Sequence, residues 1–249
     1  MLKTPLPGLS RTQRFLVKMV LFTLGSLIKS EHAERLTESE DRVIFAFNHN
    51  SSYETFVINA FIHYKRGGRK VGFLVDWMYG YSPVIGWIIR QVEPIFVYGK
   101  PAIYRFMEKR KEKLDKKPVI DSCLERINQN KGIAIFPEGT RNKDPYVLKK
   151  GKLGLAKLVL MTDIQVIPVG IDFPLRQKKG KIPKLGRIIF RVGEPMYFHD
   201  EYARYNEIQN STNQSKDQKQ NKTNELYNHI TREVMLKIAD LSNKEYPFK

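Results

Sequence analysis

Two short polar motifs each follow an apolar run that is typical of a buried strand. The first, residues 48–54, places a histidine, His49, five positions before a carboxylate, Glu54. A histidine titrates near neutral pH, so it can take the proton of an alcohol while that oxygen attacks an acyl carbon. The second motif, residues 136–141, surrounds a glycine with a carboxylate, a hydroxyl and a guanidinium; these residues are Glu138, Gly139, Thr140 and Arg141. The planar donors of a guanidinium suit a phosphate, so the motifs predict a base and a separate anchor for a polar or anionic substrate.

Glu54 has two possible roles in this pattern. A carboxylate that bonds the second ring nitrogen of His49 would fix its tautomer and stabilise the imidazolium that forms. Residues 51–54 also match a capping box, in which Glu54 would accept a hydrogen bond from the backbone N–H of Ser51. The sequence alone leaves both interpretations open.

Strand-like and helix-like segments alternate along the chain, which predicts an α/β fold: a single domain with a mostly parallel sheet flanked by helices. Apolar runs predict strands at residues 43–47, 70–75, 94–98, 132–136, 165–172 and 187–192. Helical spacing predicts helices at residues 54–64, 119–130 and 153–161, and residues 103–117 form a basic, helix-compatible stretch. The strand ends carry the two motifs, at the edge where α/β proteins place their sites.

Four regions follow from this pattern. Residues 1–32 are expected to form an N-terminal helix and residues 33–205 the α/β domain. Residues 206–224 are rich in Asn, Gln, Ser, Thr and Lys, so they predict a flexible polar insertion. Residues 225–249 contain apolar side chains at helical spacing and predict a C-terminal amphipathic helix.

The apolar segment at residues 15–28 is interrupted by Lys18 and is too short to span a bilayer. We therefore expect a membrane-associating helix that lies in the interface, with packing in the domain core as the alternative. The formal net charge of +17 predicts an anionic partner. Membrane lipids fit this charge better than nucleic acid, because no nucleic-acid motif accompanies it. Cys123, the only cysteine, is expected in the core.

The histidine, the acid five positions later and the Phe-Pro-Glu-Gly-Thr-Arg block about ninety residues on resemble the glycerolipid acyltransferase family, best known for the 1-acylglycerol-3-phosphate acyltransferases. Residues 149–156 and 166–170 resemble two further motifs of that family, although Leu148 replaces the usual Phe. The resemblance covers roughly residues 43–171.

This resemblance implies that His49 is the general base, that Glu54 orients it, and that the acceptor is held by a group of four residues. These are Glu138, Gly139, Thr140 and Arg141. It also implies acyl-CoA or an acyl carrier protein as donor, a lysolipid as acceptor, and no metal or cofactor. The expected location is the cytoplasmic face of a membrane, with peripheral or monotopic attachment.

The sequence departs from the family pattern at two places. Glu54 stands where Asp is usual, which lengthens the side chain by about 1.5 Å, a displacement that can matter in catalysis. Gly99 replaces the arginine of the second family motif. The adjacent Lys100 could bind an acceptor phosphate instead, but as a point charge without the guanidinium fork. A non-phosphate acceptor, such as a glycolipid or hydroxylated amine lipid, and a catalytically weak lipid- or acyl-binding protein are therefore the alternatives.

Overall fold

The fold is seen in a computed structural model that describes residues 3–99, 101, 108–109, 117–174 and 186–248. The strands are β1 (Ile28–Glu31), β2 (Ile44–Phe47), β3 (Val71–Asp76), β4 (Ile95–Val97), β5 (Gly132–Ile135), β6 (Val166–Asp172) and β7 (Ile188–Val192). The helices are α1 (Arg11–Leu24), α2 (Glu34–Glu38), α3 (Ser52–Lys65), α4 (Pro83–Arg90), α5 (Val119–Asn128), α6 (Gly154–Thr162), α7 (His199–Asn210) and α8 (Lys216–Ser242). The six predicted strands and three of the predicted helices are present within a few residues of their expected bounds.

The seven described strands form one sheet in the order β1-β7-β6-β2-β5-β3-β4. Strands β6, β2, β5, β3 and β4 are parallel to one another, whereas β7 runs antiparallel to β6 and β1 runs parallel to β7. Strands β2, β5 and β6 lie side by side in the middle of the sheet, and every residue in them is buried. Their continuous apolar character follows from helices on both faces, and the mostly parallel α/β fold is confirmed.

Each face of the sheet has its own apolar core. On one face, α1 packs on α3, and side chains such as Val17 and Ile58 meet Phe45 and Phe190 of the sheet. On the other face, α5, α6 and α8 cover the sheet, and Cys123 is fully buried there, as expected. The two layers hold the central strands rigidly, which fixes the positions of the turns at their carboxyl ends.

The polar segment at residues 206–224, predicted as a flexible insertion, is mostly helical in the structure. It forms the last turns of α7, a short connection, and the first turns of α8. Ser215 caps α8 by accepting a hydrogen bond from the Gln218 N–H, and Thr223 is buried against the domain. The segment is helical because a surface helix needs only one packed face, and this one can be almost entirely polar on its other sides.

The N-terminal region also differs from expectation, since it contains a strand. Helix α1 ends at Leu24, a short 3₁₀ turn follows at Gly25–Leu27, and β1 then pairs with β7. Among the described residues, none of the helices has the length and apolar character needed to cross a membrane. The predicted helical stretch at residues 103–117 lies almost wholly outside the described residues.

Candidate active site

The two motifs meet because their strands are neighbours. Strand β2 pairs with β5 in parallel, so residues that follow their carboxyl ends emerge side by side. The backbone N–H of His49 donates to Glu138 Oε1 at 3.1 Å, and the backbone N–H of Asn142 donates to the carbonyl of His49 at 2.6 Å. The side chain of Asn48 exchanges two hydrogen bonds, of 2.7 and 2.8 Å, with the backbone of Ile171 on β6. The turn that carries His49 is therefore held by both neighbouring strands.

His49 and Glu54 form a hydrogen-bonded pair, which is one of the two interpretations that the sequence left open. Nδ1 of His49 lies 3.1 Å from Glu54 Oε1, and the carboxylate is fully buried while the imidazole is 18% exposed. A carboxylate can only accept, so Nδ1 carries the proton and Nε2 is left as the basic nitrogen. The ring of His49 stacks on Phe136, with 4.2 Å between centroids, which limits rotation of the imidazole.

Glu54 also caps α3, so the contacts expected for both of its possible roles are present together. Its Oε1 accepts hydrogen bonds from the backbone N–H groups of Asn50 at 2.5 Å and Ser51 at 2.9 Å, in addition to His49 Nδ1. Three donors on one oxygen hold the carboxylate in a single orientation. The longer Glu side chain is accommodated, because α3 begins close enough to the turn for its first-turn carboxylate to reach the imidazole.

Glu138 is buried, and its contacts are with the protein itself. Besides the bond from His49, its Oε2 accepts from Asn142 Nδ2 and from the backbone N–H of Lys149, both at 2.8 Å. The side chain is 2% exposed and does not belong to the described wall of the cavity beside His49. Its contacts fit a residue that positions the loop at 138–149, whereas the sequence predicted direct contact with the acceptor.

An open cavity of about 1020 Å³ has His49 in its wall. Gly139, Thr140 and Arg141 of the second motif also line it, and their expected contact with the acceptor stays a prediction. Most of the remaining wall is apolar, and α1, α4 and α6 contribute to it through Leu16, Val20, Ile85, Ile88, Leu155 and Leu158. A cavity of this size and character suits a long hydrocarbon chain next to a polar reacting centre.

Lys152 is a further cation at this cavity that was not among the predicted site residues. Gly139 has a positive φ of 65°, and a Cβ built on it would lie 2.7 to 2.8 Å from Cδ, Cε and Nζ of Lys152. The lysine side chain therefore passes directly over the glycine turn, where a larger residue would displace it. A lysine one residue after Gly151 was visible in the sequence, but only the fold shows that it points toward Gly139.

Of the two residues at the second family motif, the structure describes Gly99 but not Lys100. Gly99, in place of the usual arginine, has no described atom within 4 Å of where its Cβ would be. Lys100 lies outside the described residues, so its proposed contact with the acceptor stays a prediction.

Cys123 borders the cavity, but burial raises the pKa of its thiol to about 12, which disfavours the nucleophilic thiolate.

Comparison with known proteins identifies the family of this chain. The family model for acyltransferases matches residues 28–172, more than half of the chain and the region that contains both motifs. The structure is similar to that of the 1-acyl-sn-glycerophosphate (LPA) acyltransferase PlsC from Thermotoga maritima, with 16% sequence identity, a TM-score of 0.52 and coverage of 90% of this chain and 79% of that one. A search of curated proteins gave no significant match. At this identity the structural similarity concerns the fold, and together with the family match it shows that this chain belongs to the acyltransferase family and is an acyltransferase.

Proposed function

We propose that this chain is a membrane-associated O-acyltransferase that moves a fatty acyl group from a thioester to 1-acylglycerol-3-phosphate or a related lysolipid. The observation that supports this proposal most directly is the His49–Glu54 pair, whose His49 lies with Arg141 in the wall of an apolar cavity. The donor is acyl-CoA or an acylated carrier protein, and both are anionic partners that suit a protein with a formal charge of +17.

The reaction is a direct transfer between the two substrates. Nε2 of His49 takes the proton from the acceptor hydroxyl as that oxygen attacks the thioester carbonyl. The tetrahedral intermediate collapses, the carbon–sulfur bond breaks, and the imidazolium returns the proton to the departing thiolate. The buried Glu54 stabilises the imidazolium between these two steps. No acyl-enzyme is required, because the nucleophile is the acceptor itself.

The acceptor phosphate is proposed to bind between Arg141 and Lys152. Both side chains belong to the wall of the same cavity as His49, and both are exposed to solvent where a polar headgroup would enter. Arg141 offers a planar set of donors, and Lys152 adds a second positive charge in a chain that lacks the arginine at position 99. Lys100 keeps the same proposed role from its sequence position.

A neutral or zwitterionic acceptor is the second candidate, favoured by Gly99. Without a guanidinium at that position, a phosphate monoester would lose one of its expected partners. A glycolipid or hydroxylated amine lipid would place no such demand on the site. The two candidates differ in the charge of the acceptor headgroup, which makes them separable by competition.

The membrane is proposed to be reached through the outer faces of α1 and α4. Phe15 and Phe22 on α1 are 65% and 85% exposed, and Val84 and Trp87 on α4 are 69% and 51% exposed. The two helices are joined by a hydrogen bond from the Gln13 side chain to the carbonyl of Gln91, and both line the cavity. Adsorption there would place the cavity beside the lipids that supply its substrate.

The test is a competition assay with one acyl donor and an equimolar mixture of lysophosphatidic acid, lysophosphatidylcholine and a monoacyl glycolipid. Preferential acylation of lysophosphatidic acid is expected. Preference for either other lipid would replace the phosphate acceptor with the second candidate. His49→Ala is the control for the site: its turnover should fall by a factor of about 10² to 10⁴. Retention of more than about a tenth of wild-type turnover would remove His49 from the mechanism.

A further inference from the structure

Lys244 is a buried lysine that follows α8 and points back toward the active site. Asn243 adopts a left-handed conformation, with φ of 52°, and the backbone N–H of Lys244 donates to Ala239, so the chain reverses direction at the end of the helix. The lysine is 9% exposed. A buried ammonium is retained only where it finds strong acceptors, so its partners indicate its purpose.

The ammonium of Lys244 joins the loops of the two motifs. Its Nζ donates to Asn50 Oδ1 and to the carbonyl of Asp144, both at 2.7 Å. Asn50 in turn donates its backbone N–H, at 2.5 Å, to the same Glu54 oxygen that holds His49. A continuous series of hydrogen bonds therefore links Lys244 to the general base through Asn50 and Glu54.

The residues after Lys244 hold the acceptor loop in the same way. The backbone N–H of Glu245 donates to Tyr146 at 2.7 Å, and its carbonyl accepts from Leu148 at 2.9 Å. The hydroxyl of Tyr246 accepts from the backbone N–H of Gly151 at 3.2 Å. Residues 244–246 therefore contact the loop at 144–151, which lies between Arg141 and Lys152.

We propose that Lys244 is a positioning residue of the acyltransferase site, holding the His49 turn and the acceptor loop at a fixed separation. It lies outside residues 28–172, the part of the chain that matches the family model. The proposal rests on the proposed role of His49 as the base. A shift of about 1 Å between a base and its substrate can cost about a hundredfold in rate, so loss of one buried tie can reduce turnover without emptying the binding site.

The first test compares Lys244→Met with Lys237→Met, a change of an exposed lysine on α8, the helix that Lys244 follows. Lys244→Met keeps the apolar stem but removes the ammonium. Its kcat should fall about tenfold or more, while KM for the acyl donor stays within about twofold, since the cavity wall is intact. Lys237→Met should behave as wild type. Lys244→Arg should recover part of kcat, because it restores a buried cationic donor.

A double-mutant cycle separates positioning from a general loss of stability. Lys244→Met and Asn50→Ala remove opposite ends of one hydrogen bond, so the double variant should be little worse than the poorer single variant. Independent, multiplicative losses in kcat would overturn the proposal, as would a folded Lys244→Met enzyme with wild-type kcat. If Lys244→Met does not fold, Lys244→Gln, which keeps one donor group, takes its place in the cycle.

Hydrogen exchange gives a readout that does not depend on activity. Lys244→Met should increase amide exchange at residues 48–51 and 144–148 relative to Lys237→Met, with little change in β6. Unchanged exchange in both loops would overturn the proposal. If wild type transfers no acyl group to any acceptor, the proposed function fails, and the exchange experiment still decides whether Lys244 holds the two loops.

Discussion

The carboxylate of Glu138 and the backbone nitrogen of His49 lie 3.1 Å apart, so the second motif directly holds the backbone of His49, the proposed general base. The same loop reaches the other side of that peptide, where the Asn142 N–H donates to the His49 carbonyl. Glu138 thus contacts both loops of the site through its two oxygens. A change at Glu138 should therefore affect how base and acceptor are placed relative to each other.

Glu138→Gln should lower kcat more than it raises KM for the acceptor. One oxygen would become an amide that faces the donors of Asn142 and Lys149, leaving buried groups unpaired at a cost of about 1–3 kcal/mol of unfolding free energy. Steady-state kinetics and a thermal melt measure both effects. If Glu138→Gln instead raises acceptor KM with unchanged kcat and melting temperature, Glu138 contacts the substrate, as the sequence predicted.

Glu54→Gln and Glu54→Ala should separate the two roles of Glu54. The amide oxygen introduced by Glu54→Gln can still accept from Ser51, so this variant should keep most of the stability but lose at least tenfold in kcat, because the imidazolium loses its counter-charge. Glu54→Ala should also lose roughly 1 kcal/mol or more of stability with the cap. Equal activity of Glu54→Gln and wild type would restrict Glu54 to capping.

Lys152→Ala should raise KM several-fold for an acceptor that carries a phosphate monoester, whereas Lys150→Ala should not. The two lysines are two positions apart and both are exposed, but of the two it is Lys152 that lines the cavity. Arg141→Lys should have a larger effect, since it removes the bidentate geometry. Acceptor titrations with lysophosphatidic acid and lysophosphatidylcholine provide the measurement. An equal effect of Lys152→Ala on both lipids would argue against a contact that is specific to the phosphate monoester.

His63 should make the fold less stable in mild acid. Burial lowers the pKa of its imidazole from 6.5 to about 4. The Val71 N–H donates a hydrogen bond to Nε2, and a protonated imidazolium could not accept that bond. The unfolded chain therefore binds more protons between these values, so stability is full above about pH 6.5 and falls by about 3 kcal/mol as the pH approaches 4.

Urea unfolding from pH 7.5 to 4.5 measures this dependence. His63→Asn should flatten it, although the variant has lower stability at neutral pH. His199→Asn is the matched control, because His199 is largely exposed. A wild-type curve with the same slope as that of His63→Asn would contradict the assignment.

Phe15→Ser with Phe22→Ser should weaken binding to anionic vesicles by about tenfold, since two large apolar side chains would no longer enter the interface. Tyr197→Ser is the matched control: Tyr197 is an exposed aromatic residue that stacks on His199, far along the chain from α1. Added salt should weaken binding further by screening the basic surface. Vesicle co-sedimentation checks both effects, and resistance to salt and carbonate would indicate an integral protein instead.

The sequence was sufficient to predict the parts of the site that depend on local patterns. Strands β2, β5 and β6 are continuous apolar runs, and short polar stretches follow β2 and β5, so the sequence placed His49 and Glu54 after β2 but left the contacts of Glu54 open. Strand β1 could not, because its four residues are only partly buried and pair with a strand about 160 positions away. The polar composition of residues 206–224 led to the wrong prediction of a flexible insertion, because one buried face was enough for a helix.

The contacts of Lys244 could not be predicted either, because its partner is distant in the sequence. Lys244 and Asn50, which form the hydrogen bond to the His49 turn, are separated by 194 positions. No periodicity or motif connects them, and an isolated lysine after a helix is usually solvated. Such contacts become visible only when the sheet and α8 are both in place.

This order of contacts has a consequence for biosynthesis. The turn with His49 leaves the ribosome early, whereas Lys244 follows Asn50 by 194 positions and is translated much later. A nascent chain cannot complete the proposed site until Lys244 has emerged and α8 has folded against β6. If Lys244 acts as proposed, thioester chemistry is therefore slow in incomplete polypeptides, including truncated products of interrupted translation.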